Sequence, residues 1–174
     1  RWPEYQKIIR NDLAEAIKIA SRNGSDPLAR ANLTIVNQIS LLDDLRAALA
    51  KVDNSTIVWF DFETNGLKTP FQGANVAIGG MALCWQDNAA WYVVLDHLNP
   101  ELNPVQRGTA LEFIRWFLKS DLPKGGQNIK FDCLQSEGCF GIRPRRIVAD
   151  TMLLSHLIDP SRGTHGEEKL ALQV

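Results

Sequence analysis

Residues 56 to 67 read T-I-V-W-F-D-F-E-T-N-G-L, a sheet-forming apolar run that ends in two acids one residue apart. Side chains alternate faces along a strand, so Asp61 and Glu63 project together while Phe62 points to the opposite, packed side. Thr64, Asn65 and Gly66 then turn the chain, which places both carboxylates at the carboxyl end of the strand, the edge where α/β sheets hold their ligands. Two neighbouring carboxylates repel each other and call for a shared proton or a cation between them. Oxygen-only donors select hard ions such as Mg²⁺ or Mn²⁺. The pair alone is a weak signal, since an acid–x–acid triplet arises by chance in about every second chain of this size. Two acids that simply face solvent at a strand end are the alternative reading.

A second stretch sharpens the first. G-G-Q-N-I-K-F-D, residues 125 to 132, reads as a short glycine-rich strand that enters a helix at Asn128. Asn at a helix start is ordinary capping chemistry. Asp132 lies one turn further on the same helical face, where a third carboxylate near the first two would complete an acidic, metal-holding cluster.

These residues need elements to carry them. T-I-V-N-Q-I (34 to 39) is a short strand candidate, and Ser40, with Asp43 three residues on, stands where the N-cap of L-L-D-D-L-R-A-A-L-A-K-V belongs. After the acid-bearing strand, N-V-A-I-G-G-M-A-L-C-W and A-A-W-Y-V-V-L surround the polar turn Gln86-Asp87-Asn88 and predict an antiparallel hairpin. Pro104 is expected to open a helix carrying Ala110, Leu111, Phe113, Ile114, Trp116, Phe117 and Leu118, a face wide enough to pack on a sheet. Pro123 and Gly125-Gly126 end it. A second helix is predicted over about Ile129 to Glu137, then a strand R-I-V-A-D, with Asp150 as N-cap of a last helix that runs to Pro160. Ahead of all this, residues 1–32 form an N-terminal helical extension or linker, with Ile8, Ile9, Leu13 and Ile17 near helical spacing. The sum is a mixed α/β sheet with helices on its faces.

Bulk composition sets the frame. The chain has 174 residues, 45% hydrophobic and 22% charged, and a formal net charge of −1. It is long enough for one real core and too nearly neutral for a charge-driven nucleic-acid binder. Cys84, Cys133 and Cys139 form no C-x-x-C pair and His97, His156 and His165 are scattered, which argues against zinc and for reduced thiols inside a cell. No apolar run approaches the ~20 residues needed to span a bilayer, and no basic-then-apolar leader points to secretion.

In their order and separation, F-D-F-E-T-N-G-L and G-Q-N-I-K-F-D resemble the first two exonuclease motifs of family A DNA polymerases. The likeness extends to V-A-D-T-M-L-L-S-H-L-I-D-P-S-R-G-T-H and covers roughly residues 33 to 172. The wider group is the DEDD 3′→5′ exonucleases, built on a ribonuclease-H-like fold. The resemblance implies two-metal phosphodiester hydrolysis with Mg²⁺ or Mn²⁺. Asp61 would bridge both ions, Glu63 would hold the ion that activates water, and Asp132 would bind the other ion. It gives Leu67 the part of a wedge against the terminal bases. Gln127 and Asn128 fall at positions that line the strand groove, and Phe131 falls where relatives often carry Tyr. The implied partners are a single-stranded 3′ end of DNA and a polymerase domain on the same polypeptide.

The resemblance also implies a fourth acid in a later motif, some tens of residues past Val174. Residues 33–174 are therefore expected to be an exonuclease domain cut short at its C-terminal end, and the 174-residue chain to be weak or inert alone. Glu167, Glu168 and Asp159 have no matching context. R-P-R-R (143 to 146) reads as a surface turn, Trp59, Trp85, Trp91 and Trp116 as core, and His165 as a loop residue without chemistry. The alternatives are a stand-alone ribonuclease of the ribonuclease D kind and a non-catalytic module that only binds strands.

Overall fold

A computed structural model describes residues 32–73, 75–87, 89–97, 100–104 and 106–161. The predicted N-terminal helix, Trp2, His165, Glu167 and Glu168 lie outside the described residues. Among the described residues six strands form one sheet in the order β1-β4-β3-β2-β5-β6. They are β1 (Asn32–Val36), β2 (Val58–Thr64), β3 (Ile78–Gln86), β4 (Ala89–Val94), β5 (Lys124–Gly126) and β6 (Ile147–Asp150). The helices are α1 (Ile39–Leu49), α2 (Arg107–Lys119), α3 (Ile129–Phe140) and α4 (Thr151–Ile158). β2, β3 and β4 form an antiparallel meander. β1 joins β4, β5 joins β2 and β6 joins β5 in parallel. The mixed, ribonuclease-H-like sheet expected from sequence is the one found.

β2 is central, and its burial alternates as its sequence does. Val58, Phe60 and Phe62 are buried, whereas Asp61 and Glu63 are exposed. Phe60 meets Phe117 of α2 edge-to-face at 5.7 Å, and Phe62 meets Phe140 of α3 at 5.9 Å. α2 buries Ala110, Phe113, Ile114, Phe117 and Leu118 on the same core that α1 reaches with Leu42, Leu45 and Leu49. Burying a side chain such as Phe117 contributes about 2–3 kcal/mol, so this aromatic and aliphatic layer makes β2 a stiff rail.

Several boundaries differ from the sequence reading. α1 begins at Ile39 with Gln38 in the N-cap position and no side-chain cap, so Ser40 lies inside the helix. Packing of Leu42, Leu45 and Leu49 sets that phase and overrides the local capping signal. Around Pro104 the chain makes a separate turn of 3₁₀ helix, Pro100–Leu102, and α2 starts only at Arg107, behind Gln106. α3 runs on to Phe140, a turn past the predicted end, because Phe140 packs on Phe62 and Gly138 lies against Pro70. Trp85, Trp91 and Trp116 pack against the core while half-buried. Trp59 is a correction: β2 alternation puts it on the face of the acids, its ring against Gly125. Arg143, Arg145 and Arg146 are exposed around a buried Pro144, with Arg145 paired to Asp121 at 2.9 Å. The three cysteines are free, and among the described residues no helix is long and apolar enough to cross a membrane.

Candidate active site

The tip of β2 faces β3 through a fault in the ladder. Glu63 pairs with Gly80 but Thr64 pairs with Ile78, which leaves Gly79 as an extra residue. Such bulges re-aim side chains and concentrate beside active sites. Thr64 Oγ1 donates to the Gly66 carbonyl at 2.8 Å and closes the turn after the acids. Asp61 pairs with Ala82 and Glu63 with Gly80, so the two carboxylates stand over the small-residue part of β3.

Asp132 arrives from the other side of β2. It is 1% exposed, and its Oδ1 accepts the Phe62 amide at 2.9 Å. That amide lies between the two acids in the chain, so this bond pins α3 to the acid-bearing strand. Burial first, and then the nearby Asp61 charge, push the Asp132 carboxyl up to about 7; the Phe62 amide pulls it down, and Asp150 adds to the rise. A buried carboxyl whose neighbours are acids is held in a state that a proton or a cation relieves.

The start of α3 has its own support. Asn128 takes the N-cap place at φ 50°, in the left-handed region that Asn tolerates better than most residues. Its side chain caps nothing. The capping comes instead from Asp150 at the end of β6, which accepts from Asn128 N and Ile129 N, each at 3.1 Å. Asp150 also accepts from Met152 N at 2.9 Å and Leu153 N at 3.3 Å. The predicted N-cap of α4 therefore holds the first turns of two helices at once. Its role at α3 has no local sequence signal, because β5 and β6 become neighbours only in the sheet.

The remaining residues singled out from sequence sit around this centre. Leu67 is 92% exposed on the loop after β2. That loop is tied to α3 by Gln135, one turn past Asp132, whose Nε2 donates to the Lys68 carbonyl at 3.1 Å. Gln127 accepts a short hydrogen bond from the Thr151 hydroxyl, and Asn128 is exposed beside it. Phe131 is half-buried next to Asp132. Sequence reasoning missed Gln135 and Tyr92. The ring of Tyr92 lies over Gly80, and a Gly-Gly pair within a strand is a usable sign of such a close approach.

With the geometry in place, likeness to known proteins adds a family. The 3′-5′ exonuclease family model matches residues 35–174. The chain belongs to this family. Among solved structures, Brucella melitensis NrnC with bound Mg²⁺ superposes with a TM-score of 0.57 at 19% identity, over 82% of this chain and 61% of that one. The POL domain of Pol1 from M. smegmatis, in complex with DNA primer-template and dNTP, gives 0.57 at 17% identity, over 82% and 22%. Trypanosoma brucei RNase D in complex with RNA U12 gives 0.50 at 12% identity, over 78% and 40%. At these identities the likeness is one of fold, and the chain spans about three fifths of the NrnC length.

The family implies a divalent cation. Among the described residues no three His, Cys, Asp or Glu side chains converge into a ready-made cage. The donor chemistry nevertheless fits a hard ion. Asp61, Glu63 and Asp132 offer only oxygen, and the carboxyl of Asp132 is raised by burial and then by the Asp61 charge, a state that a bound cation would reverse.

Proposed function

We propose that this chain is the proofreading 3′→5′ exonuclease domain of a DNA polymerase, which removes mispaired nucleotides from frayed single-stranded 3′ ends inside the cell. The observation that carries the reading is the convergence of Asp132 on the Phe62 amide, which brings a buried third carboxylate against the strand of Asp61 and Glu63. These three residues would hold two divalent ions, Mg²⁺ or Mn²⁺. When bound, such ions would lower the pKa of an attacking water and neutralise charge on a leaving 3′ oxygen. The protein's own part is positioning. β2 fixes the two exposed acids, α3 delivers Asp132, and the Gln135–Lys68 bond fixes the loop on which exposed Leu67 can lie against a terminal base. Gln127, Asn128 and Phe131 supply polar and aromatic surface for the strand.

The test pairs Mn²⁺ binding, read by electron paramagnetic resonance, with trimming of 3′-labelled DNA and RNA oligonucleotides of matched sequence. Asp61→Ala is expected to weaken Mn²⁺ binding by about a hundredfold or more and to abolish trimming in any longer form that trims. Unchanged Mn²⁺ binding in Asp61→Ala would overturn the metal site. Faster trimming of RNA than of DNA would replace the polymerase reading with the ribonuclease D kind.

A further inference from the structure

Tyr92 stands on β4 with no part in the reading above. Its cross-strand neighbour is Ala82, itself the neighbour of Asp61, so Tyr92 shares a row with Asp61 on the acid-bearing face. The side chain does not stay in that row. Its Cζ and hydroxyl oxygen both lie 2.5 Å from the point where a Cβ on Gly80 would be. The phenol therefore leans over Gly80, and Gly80 is the residue paired with Glu63. Neighbouring strands are about 4.8 Å apart, so the hydroxyl is carried to the strand next to Glu63 at the level of that residue. The seat exists because residue 80 has no side chain, and the regular β2–β3 ladder, unbroken from Trp59–Cys84 to Glu63–Gly80, brings Glu63 opposite it just before the bulge at Gly79.

We propose that Tyr92 is a positioning residue for Glu63: its hydroxyl, seated over Gly80, orients the Glu63 carboxylate for cation binding. This rests on the reading of Asp61, Glu63 and Asp132 as a metal site. A glutamate has three rotatable bonds and loses rotamer freedom when fixed. A donor already in place offsets part of that loss before the ion arrives, as outer-shell partners do in metal sites generally.

The experiment is Mn²⁺ titration of the intact chain by electron paramagnetic resonance, as a mutant cycle between Tyr92→Phe and Glu63→Ala, with Gly80→Ala as an independent probe. Tyr92→Phe keeps the ring and removes only the donor; a loss of about tenfold or more in Mn²⁺ affinity is expected. Gly80→Ala, whose new methyl would come within 2.5 Å of the phenol and 2.7 Å of the Val93 carbonyl and so displaces both, is expected to lose affinity in the same direction. In the Glu63→Ala background Tyr92→Phe is expected to have no further effect. Equal Mn²⁺ affinity for Tyr92→Phe and the unaltered chain would overturn the inference, as would an undiminished loss in the Glu63→Ala background. If the unaltered chain shows no Mn²⁺ binding sensitive to Asp61→Ala, it is the metal site itself that fails, and this inference with it.

Discussion

Lys124 and Asp132 are both buried, at 0% and 1% exposure, and β5 joins them across one short turn. Their surroundings differ in kind. The Lys124 ammonium donates to the Ser120 carbonyl at 2.7 Å, the Leu122 carbonyl at 3.0 Å, and the Ser120 hydroxyl and Arg145 carbonyl at 3.2 Å. Four oxygens thus share three donor protons, and the cation also lies 5.1 Å from the Phe117 ring centre. It fastens the chain after α2 to the turn before β6. Burial still presses its pKa down to about 8. Asp132 has the Phe62 amide, but its charged neighbours are Asp61 and Asp150. A buried charge whose hydrogen bonds are complete serves the fold. One set among like charges is held at a cost that a ligand can remove.

The contrast can be broken at either end, and Lys124→Ala carries the largest expected change in stability. It strands the carbonyls that the ammonium satisfied and empties the space of its stem, so a loss of about 2–4 kcal/mol is expected. Thermal melting should register this as a fall of roughly 5–15 °C, with Mn²⁺ affinity unchanged in the folded protein. A large loss of Mn²⁺ affinity would mean that Lys124 belongs to the site after all. Asp150→Ala ranks next. It removes the acceptor for the first turns of both α3 and α4, and two caps at ~1 kcal/mol each give about 2 kcal/mol by urea denaturation. A loss no larger than that of a single cap would show that the bonds to Asn128 and Ile129 contribute little.

Asp132→Asn should move the other way. The amide oxygen can still accept from Phe62, while the charge facing Asp61 is gone. Because the folded-state pKa of Asp132, about 7, lies above its ordinary 3.8, the folded chain holds this proton more tightly than the unfolded chain. Its contribution is therefore greatest below about pH 4 and is lost as pH rises through 7; linkage puts the whole loss at about 4 kcal/mol at most. Asp132→Asn is expected to gain about 1–2 kcal/mol over the unaltered chain at pH 8 in the absence of divalent ions, and little at pH 4. Added Mg²⁺ should stabilise the unaltered chain and leave the variant where it was. A variant less stable at pH 8 would place Asp132 with Lys124, as a part of the fold alone.

Much of this was legible in single stretches of chain. The alternation from Val58 to Glu63 determined which side chains enter the core and which share the open face, because strand period is a local property. The hairpin, β5 running into α3, and Asp150 as the cap of α4 were equally local. Helix starts were less so: Ser40 and Pro104 carry the right chemistry for a start, but Leu42, Leu45, Leu49 and the core face of α2 set where the helices begin. The first pair of acids was open to a bland reading for the same reason, since nothing near Asp61 and Glu63 in sequence distinguishes a metal ligand from a solvated charge.

Only the tertiary structure joined the pieces. The bond from Asp132 to the Phe62 amide spans 70 residues of sequence, and Asp150 reaches back 22 residues to Asn128. Tyr92 leans over Gly80, the residue paired with Glu63, because position 80 carries no side chain. The sequence by itself determined which residues carry oxygen and which face of its strand each one takes. Strand order and packing decided which oxygens stand close enough to repel, and that repulsion turns a strand ending in acids into a candidate active site.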